Sequence, residues 1–145
     1  LYDKIIYALT FKTLRSMITY NLLEDNYLIE NFSGSLNAGE FIRMKQNQID
    51  DTDYGRIRGI VMDLRKMKID FSKEKLKQFF AWLLRNKAII ENKSVAILTK
   101  TMEQLNFGYR LSELFNENLV EARVEQFSSK KQAFLWLTDN RASGR

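Results

Sequence analysis

Apolar and polar positions change period several times along the chain, and each change marks a predicted element. Residues 17–24 (MITYNLLE) and 27–35 (YLIENFSGS) are rich in β-branched and aromatic side chains and flank the polar pair Asp25-Asn26, which predicts a β-hairpin. Asn37 stands three residues before Glu40 in a variant of the capping box. Ala38, Phe41, Ile42 and Ile49 fall near one helical face, along which Lys45 can lay its stem, so a first helix is expected over 37–50. Asp50, Asp51, Thr52 and Asp53, followed by Tyr54-Gly55, read as a polar turn. The run 59–64 (GIVMDL) is apolar almost to its end, as in a strand covered on both faces.

Ser72 is placed to accept from the amides of the following turn and Phe71 to staple onto Leu76. Leu76, Phe79, Phe80, Leu83 and Leu84 then follow the spacing of a core-facing helix whose outer face carries Lys73, Lys77, Trp82 and Arg85. Residues 94–99 (SVAILT) repeat the buried-strand pattern. Residues 102–118 predict a third helix with Phe107, Leu111, Leu114 and Phe115 at helical spacing and Gly108 inside it or at its start. Strict alternation over 120–125 (VEARVE) predicts a strand with one wet face. Ser129 with Gln132 forms a capping box before Ala133, Phe134, Trp136 and Leu137, a short last helix. The order is ββαβαβαβα: an α/β fold with a mixed, mostly parallel sheet packed by helices. It forms a single domain over 17–140, after an N-terminal extension (1–16) of unassigned state and before a loose tail (141–145, RASGR). No repeat of 20 to 50 residues is present.

Composition narrows the chemistry. The 145 residues are 45% hydrophobic and 28% charged, which suits one globular domain. They include no His, Cys or Pro, which excludes disulfides, thiolate or imidazole metal ligands and Ser-His-Asp or cysteine nucleophile chemistry. No apolar run approaches the roughly 20 residues of a membrane helix, and the start lacks a signal-peptide pattern, so a soluble cytoplasmic protein without membrane insertion is expected. Asn31-Phe32-Ser33 and Asn92-Lys93-Ser94 match the glycosylation pattern by chance in that setting.

The net charge of +5 is uneven, with ten basic against three acidic side chains over 64–100. An anionic partner belongs there if anywhere, although a solvated lysine-rich face accounts for the pattern more simply. Trp82 alone is too little for a base-stacking platform, so nucleic acid is disfavoured as a partner. Asp50, Asp51 and Asp53 lack the glycine and terminal glutamate of a calcium loop, and the glycines form no phosphate-cradling motif; neither metal nor cofactor is predicted. Asp63 closes a strand expected to be buried, at the strand end where open α/β sheets bind ligands, with Arg65 or Arg110 available as its partner.

The stretches 60–65 (IVMDLR), 94–98 (SVAIL) leading to 106–110 (NFGYR) and Leu114-Phe115, and 124–127 (VEQF) leading to 133–137 (AFLWL) together resemble the SpoIIAA-like (STAS/SEC14-type) bacterial proteins, from about residue 17 to residue 137. The resemblance implies a small, cytosolic, non-enzymatic STAS-like sandwich, most members of that family having no assigned function. The anti-sigma-factor antagonists of that fold are switched by phosphorylation of a serine in an Asp-Ser-Ser-Gly-like turn. Here Asp63 is followed by a longer, basic connection, and Ser72 is the only hydroxyl in a comparable place, as phosphorylation site or plain N-cap. Arg110 matches an arginine common in the family.

The function expected is a binding or regulatory module that recognises a protein partner or a small apolar or anionic ligand through Asp63, Arg65, Lys66, Lys68 and Arg110. The alternatives are a small enzyme using Asp63 with Arg65 or Arg110, and weak nucleic-acid binding by 64–100. A homodimer through Ile5, Ile6, Leu9 and Phe11 is a further expectation.

Overall fold

The structure, a computed structural model, describes residues 16–35, 38–69, 72–118 and 120–143. The expectations for the extension 1–15, Asn37, Phe71 and residues 144–145 lie outside the described residues. In chain order the elements are β1 (Ser16–Leu22), β2 (Tyr27–Ser35), α1 (Ala38–Asp51), β3 (Gly59–Lys68), α2 (Lys73–Arg85), β4 (Ser94–Leu98), α3 (Met102–Glu117), β5 (Arg123–Phe127) and α4 (Lys130–Ser143). Short 3-10 turns at Tyr54–Arg56 and Lys87–Ile89, absent from the predicted pattern, lead into β3 and follow α2.

The five strands lie in sequential order β1-β2-β3-β4-β5, with β1 antiparallel to β2 and every other pair parallel. Three crossovers that advance in one direction with one handedness must place their helices on one face of the sheet. Accordingly Phe41 and Met44 of α1, Phe79 and Leu83 of α2, and Phe107, Leu111 and Phe115 of α3 join Leu28, Phe32, Ile60, Met62, Leu64, Val95 and Ile97 in one core. Phe79 lies at its centre, edge-on to Phe41 at 5.0 Å and stacked on Phe107 at 6.3 Å. The chain reverses after β5, so α4 covers the other face, where Ala133 and Leu137 pack on Tyr27, Val61, Ala96 and Leu98. Gly59 makes room there: a Cβ on it would stand 2.9 Å from the Tyr27 ring and 3.0 Å from Leu137.

Several expectations shift. The hairpin turn spans four residues rather than the polar pair alone, with Asn26 in the left-handed region (φ 65°) and its amide donating to the Leu23 carbonyl. The buried side of α1 is Phe41, Met44, Lys45 and Gln48, whereas Ile49 is exposed, because a fully buried carboxylate on β2, Glu30, draws polar side chains inward. Trp82 is half-buried against the main core rather than on the outer face of α2. β5 begins at Arg123, three residues later than the alternation suggests, and keeps Val124 facing the core. α4 runs on to Ser143, so residues 141–143 are helical rather than a loose tail.

β3 departs most from its predicted length. It continues four residues past Leu64, beyond the end of β4, and pairs there with β2 alone. A bulge between the Asn31 and Ser33 positions inserts one extra residue on β3. The bulge restores Met67 to the main core after Leu64 and turns Lys66 and Lys68 to solvent.

Candidate functional site

The carboxyl end of β3, the amino terminus of α2 and the facing side of α3 build one end of the molecule. Asp63 and Arg65, two residues apart on one strand, share a face. Arg65 Nε donates to Asp63 Oδ1 and Nη2 to Oδ2, both at 2.9 Å, and the Arg65 amide donates to Oδ1 at 3.1 Å. Burial pushes the Asp63 carboxyl up, but these contacts, aided by the charge of Lys130, outweigh it and hold it below its usual 3.8. Both carboxylate oxygens are therefore engaged by a cation, which suits a structural ion pair and not a proton-transfer group.

Arg110 does not join them. Asp63 lies on the α4 side of the sheet with Val61, whereas Arg110 is an exposed residue of α3, which packs on the opposite side. The expected cluster of Asp63 with Arg110 is thus corrected: the two residues stand on different faces of the sheet. Lys66 and Lys68 lie on β3, not in a loop before α2.

Arg110 instead lines an open groove of about 590 Å³ between α2 and α3, with Ile69, Leu76, Phe107, Tyr109 and the carboxylates Glu103 and Glu113. The Tyr109 side chain projects there 55% exposed, with an apolar floor beneath. Ser72 borders the same end; its Oγ accepts from the Lys75 amide at 3.2 Å, capping α2, and the side chains of Ser72, Lys73 and Lys75 are exposed. The basic residues of 64–100 do not form one surface. Arg65, Lys66 and Lys68 are on the sheet, Lys73, Lys75 and Lys77 on α2, and Lys93 is buried before β4.

Two groups of polar residues leave almost no trace in the sequence pattern. Gln104, 2% exposed, donates to the Met67 carbonyl at 2.8 Å and accepts from the amides of Lys100 and Thr101, which ties the overhang of β3 to the start of α3. Thr101 and Gln104 complete a capping box. Glu30, Lys45 and Gln48 form a buried cluster beside Tyr54, whose hydroxyl donates to the Ile89 carbonyl and is pushed upward in pKa by burial and by the Glu30 charge. A TxxQ spacing at residues 101–104 was the one available clue. Among the described residues no three carboxylates gather to hold a metal, and Asp51 and Asp53 instead engage Tyr20 and Arg56. No helix among them is long and apolar enough to cross a membrane.

Among the described residues, the sequential mixed sheet with three helices on one face and one on the other has the SpoIIAA-like, or STAS-like, fold. The chain is similar to the crystal structure of an uncharacterised DUF3478-family protein with a SpoIIAA-like fold from Shewanella loihica, at 15% identity and a TM-score of 0.57, over 84% of this chain and 93% of that one. An anti-sigma factor antagonist from Mycobacterium paratuberculosis aligns at 11% identity and a TM-score of 0.55, over 86% and 95% of the two chains. The anti-sigma factor antagonist SpoIIAA in its unphosphorylated form aligns at 9% identity and 0.50, over 89% and 98%. No protein-family model matches the sequence, and no curated protein matches it.

Proposed function

We propose that the protein is a non-enzymatic recognition module that presents the α2–α3 end of the fold to a protein partner. The α2–α3 groove carries this reading: an apolar floor of Ile69, Leu76 and Phe107 is rimmed by Tyr109, Arg110 and two carboxylates. Apolar centres rimmed by an aromatic ring and an arginine are the composition of protein-recognition surfaces. The anti-sigma factor antagonists among its structural neighbours support a protein partner. Ser72 gives this end a hydroxyl at a helix amino terminus beside Lys73 and Lys75, where a phosphate would be stabilised, so modification there would change the charge that the partner meets.

The test is co-purification from the native host with the wild type and with a Tyr109→Ala/Arg110→Glu variant. Both positions are exposed, so the variant keeps its thermal stability. A partner retained by the wild type and lost from the variant is the expected result. A partner held equally by both places recognition elsewhere and removes the proposal.

A further inference from the structure

The end of the sheet opposite the α2–α3 groove carries an open basin of about 740 Å³, built by the segments that lead into β3, β4 and β5. Four cations, Arg56, Arg58, Lys93 and Arg123, line it against one carboxylate, Glu121. Arg56 meets Asp53 at 3.4 Å in a pair open to water, the kind that contributes little. Arg123 lays its guanidinium over the Trp136 ring at 5.7 Å.

Lys93 differs from these three. It is 7% exposed, and its Nζ sits 4.9 Å from the centroid of the Tyr54 ring, with Lys45 at 5.9 Å from the same ring. Among the described residues it makes no ion pair, whereas Lys45, its buried neighbour, has Glu30. An ammonium removed from water without an anion is costly. Burial, and then the charge of Lys45, hold Lys93 below the usual lysine range. An anion arriving from solution would relieve both effects.

We propose that this basin binds a small phosphate-bearing anion, with Lys93 supplying the desolvated charge and Arg58 and Arg123 supplying guanidinium forks that match phosphate oxygens. The volume falls within the roughly 300–1,000 Å³ of small-molecule sites. Among the described residues no exposed aromatic ring lines the basin to stack a base, which favours a compact phosphorylated ligand over a nucleic-acid strand. The site is independent of the groove and of any partner bound there.

Pyrophosphate is the probe, titrated into the full chain and followed by amide chemical shifts and thermal stability, with chloride at matched ionic strength as the control. Saturable shifts at residues 56–58, 92–94 and 121–123 with a raised Tm are expected. Arg58→Gln weakens binding about tenfold through the loss of a charge-assisted contact. Lys93→Met, which keeps the apolar stem, abolishes it. If Lys93→Met fails to fold, the Arg58→Gln/Arg123→Gln variant carries the test, since both positions are exposed. Absence of shifts, equal shifts with chloride, shifts confined to residues 72–75, or undiminished affinity in the double arginine variant would each overturn the proposal.

Discussion

Glu30 has no exposed surface, and one of its oxygens receives both Lys45 Nζ at 2.5 Å and Gln48 Nε2 at 2.7 Å. The other oxygen, Oε1, has no hydrogen-bond partner among the described residues, nor has Gln48 Oε1. A buried pair of this kind offsets its own desolvation without adding much, but removing one member leaves a charge stranded in the core. Lys45→Met is expected to lower stability by about 3–5 kcal/mol, and Glu30→Leu/Lys45→Met to recover most of that loss. Urea titrations of the two single variants and the double variant check this, and strict additivity would contradict it. Asp63 gives a second residue-scale prediction, with a definite sign. Its carboxyl is lowered in the folded state, so the stability it lends is present above 3.8 and is lost as pH falls through the lower folded value. Below pH 3.8, Asp63→Asn should therefore show a shallower fall of Tm than the wild type, and identical acid limbs would show that the Arg65 contacts contribute nothing.

At the scale of elements, helix caps and the β3 overhang decide how the α2–α3 end is held. Ser72→Ala removes one side-chain acceptor from α2 and should cost about 1 kcal/mol. Gln104→Ala strands the Met67 carbonyl and two amides at once, in a part-buried to buried setting, and is expected to cost more, about 2–3 kcal/mol. Thermal melts that rank the two variants in the opposite order would mean that the overhang of β3 is not anchored through Gln104. These elements also show what the sequence made legible. The spacing of Leu76, Phe79, Phe80, Leu83 and Leu84 places α2, because a helix with one apolar stripe declares its inner side directly. The same reasoning places Phe41 and Lys45 on the inner side of α1 but puts Ile49 there in place of Met44 and Gln48, since Gln48 is drawn inward by a carboxylate on another strand, and no local pattern records a partner eighteen residues away. The length of β3 was hidden for a related reason. Past Leu64 it has one neighbour and a wet face, so Arg65, Lys66 and Lys68 read as connection, and the bulge that returns Met67 to the core breaks the alternation that would have revealed a strand. For the candidate site, Asp63 with Arg65 and the Ser72 cap could be read from short spacings, whereas the groove around Arg110 and the basin around Lys93 arise only when separate elements converge.

At the scale of the whole molecule, sequential strand order makes each parallel pair the product of a single βαβ step, so no strand waits for a distant segment to be inserted between two others. The same topology separates the two proposed surfaces, the groove lying near the carboxyl ends of β3 and β4 and the basin at the ends where β3, β4 and β5 begin. It also makes a kinetic prediction sharp, because the chain contains no proline. Slow refolding over tens of seconds in small domains commonly reports X-Pro isomers that equilibrate in the unfolded chain, and that source is missing here. Refolding after a brief exposure to denaturant should therefore match refolding after a long one, and a prolyl isomerase should leave the rate unchanged. Any residual slow phase must come from the parallel pairing itself, whose closure of long βαβ segments carries an entropic cost before contacts form. Stopped-flow double-jump experiments distinguish the two origins. A slow phase whose amplitude grows with time spent unfolded would contradict the prediction, and one of constant amplitude that shortens in a variant with a strengthened β2–β3 pair would locate the barrier in the assembly of the sheet.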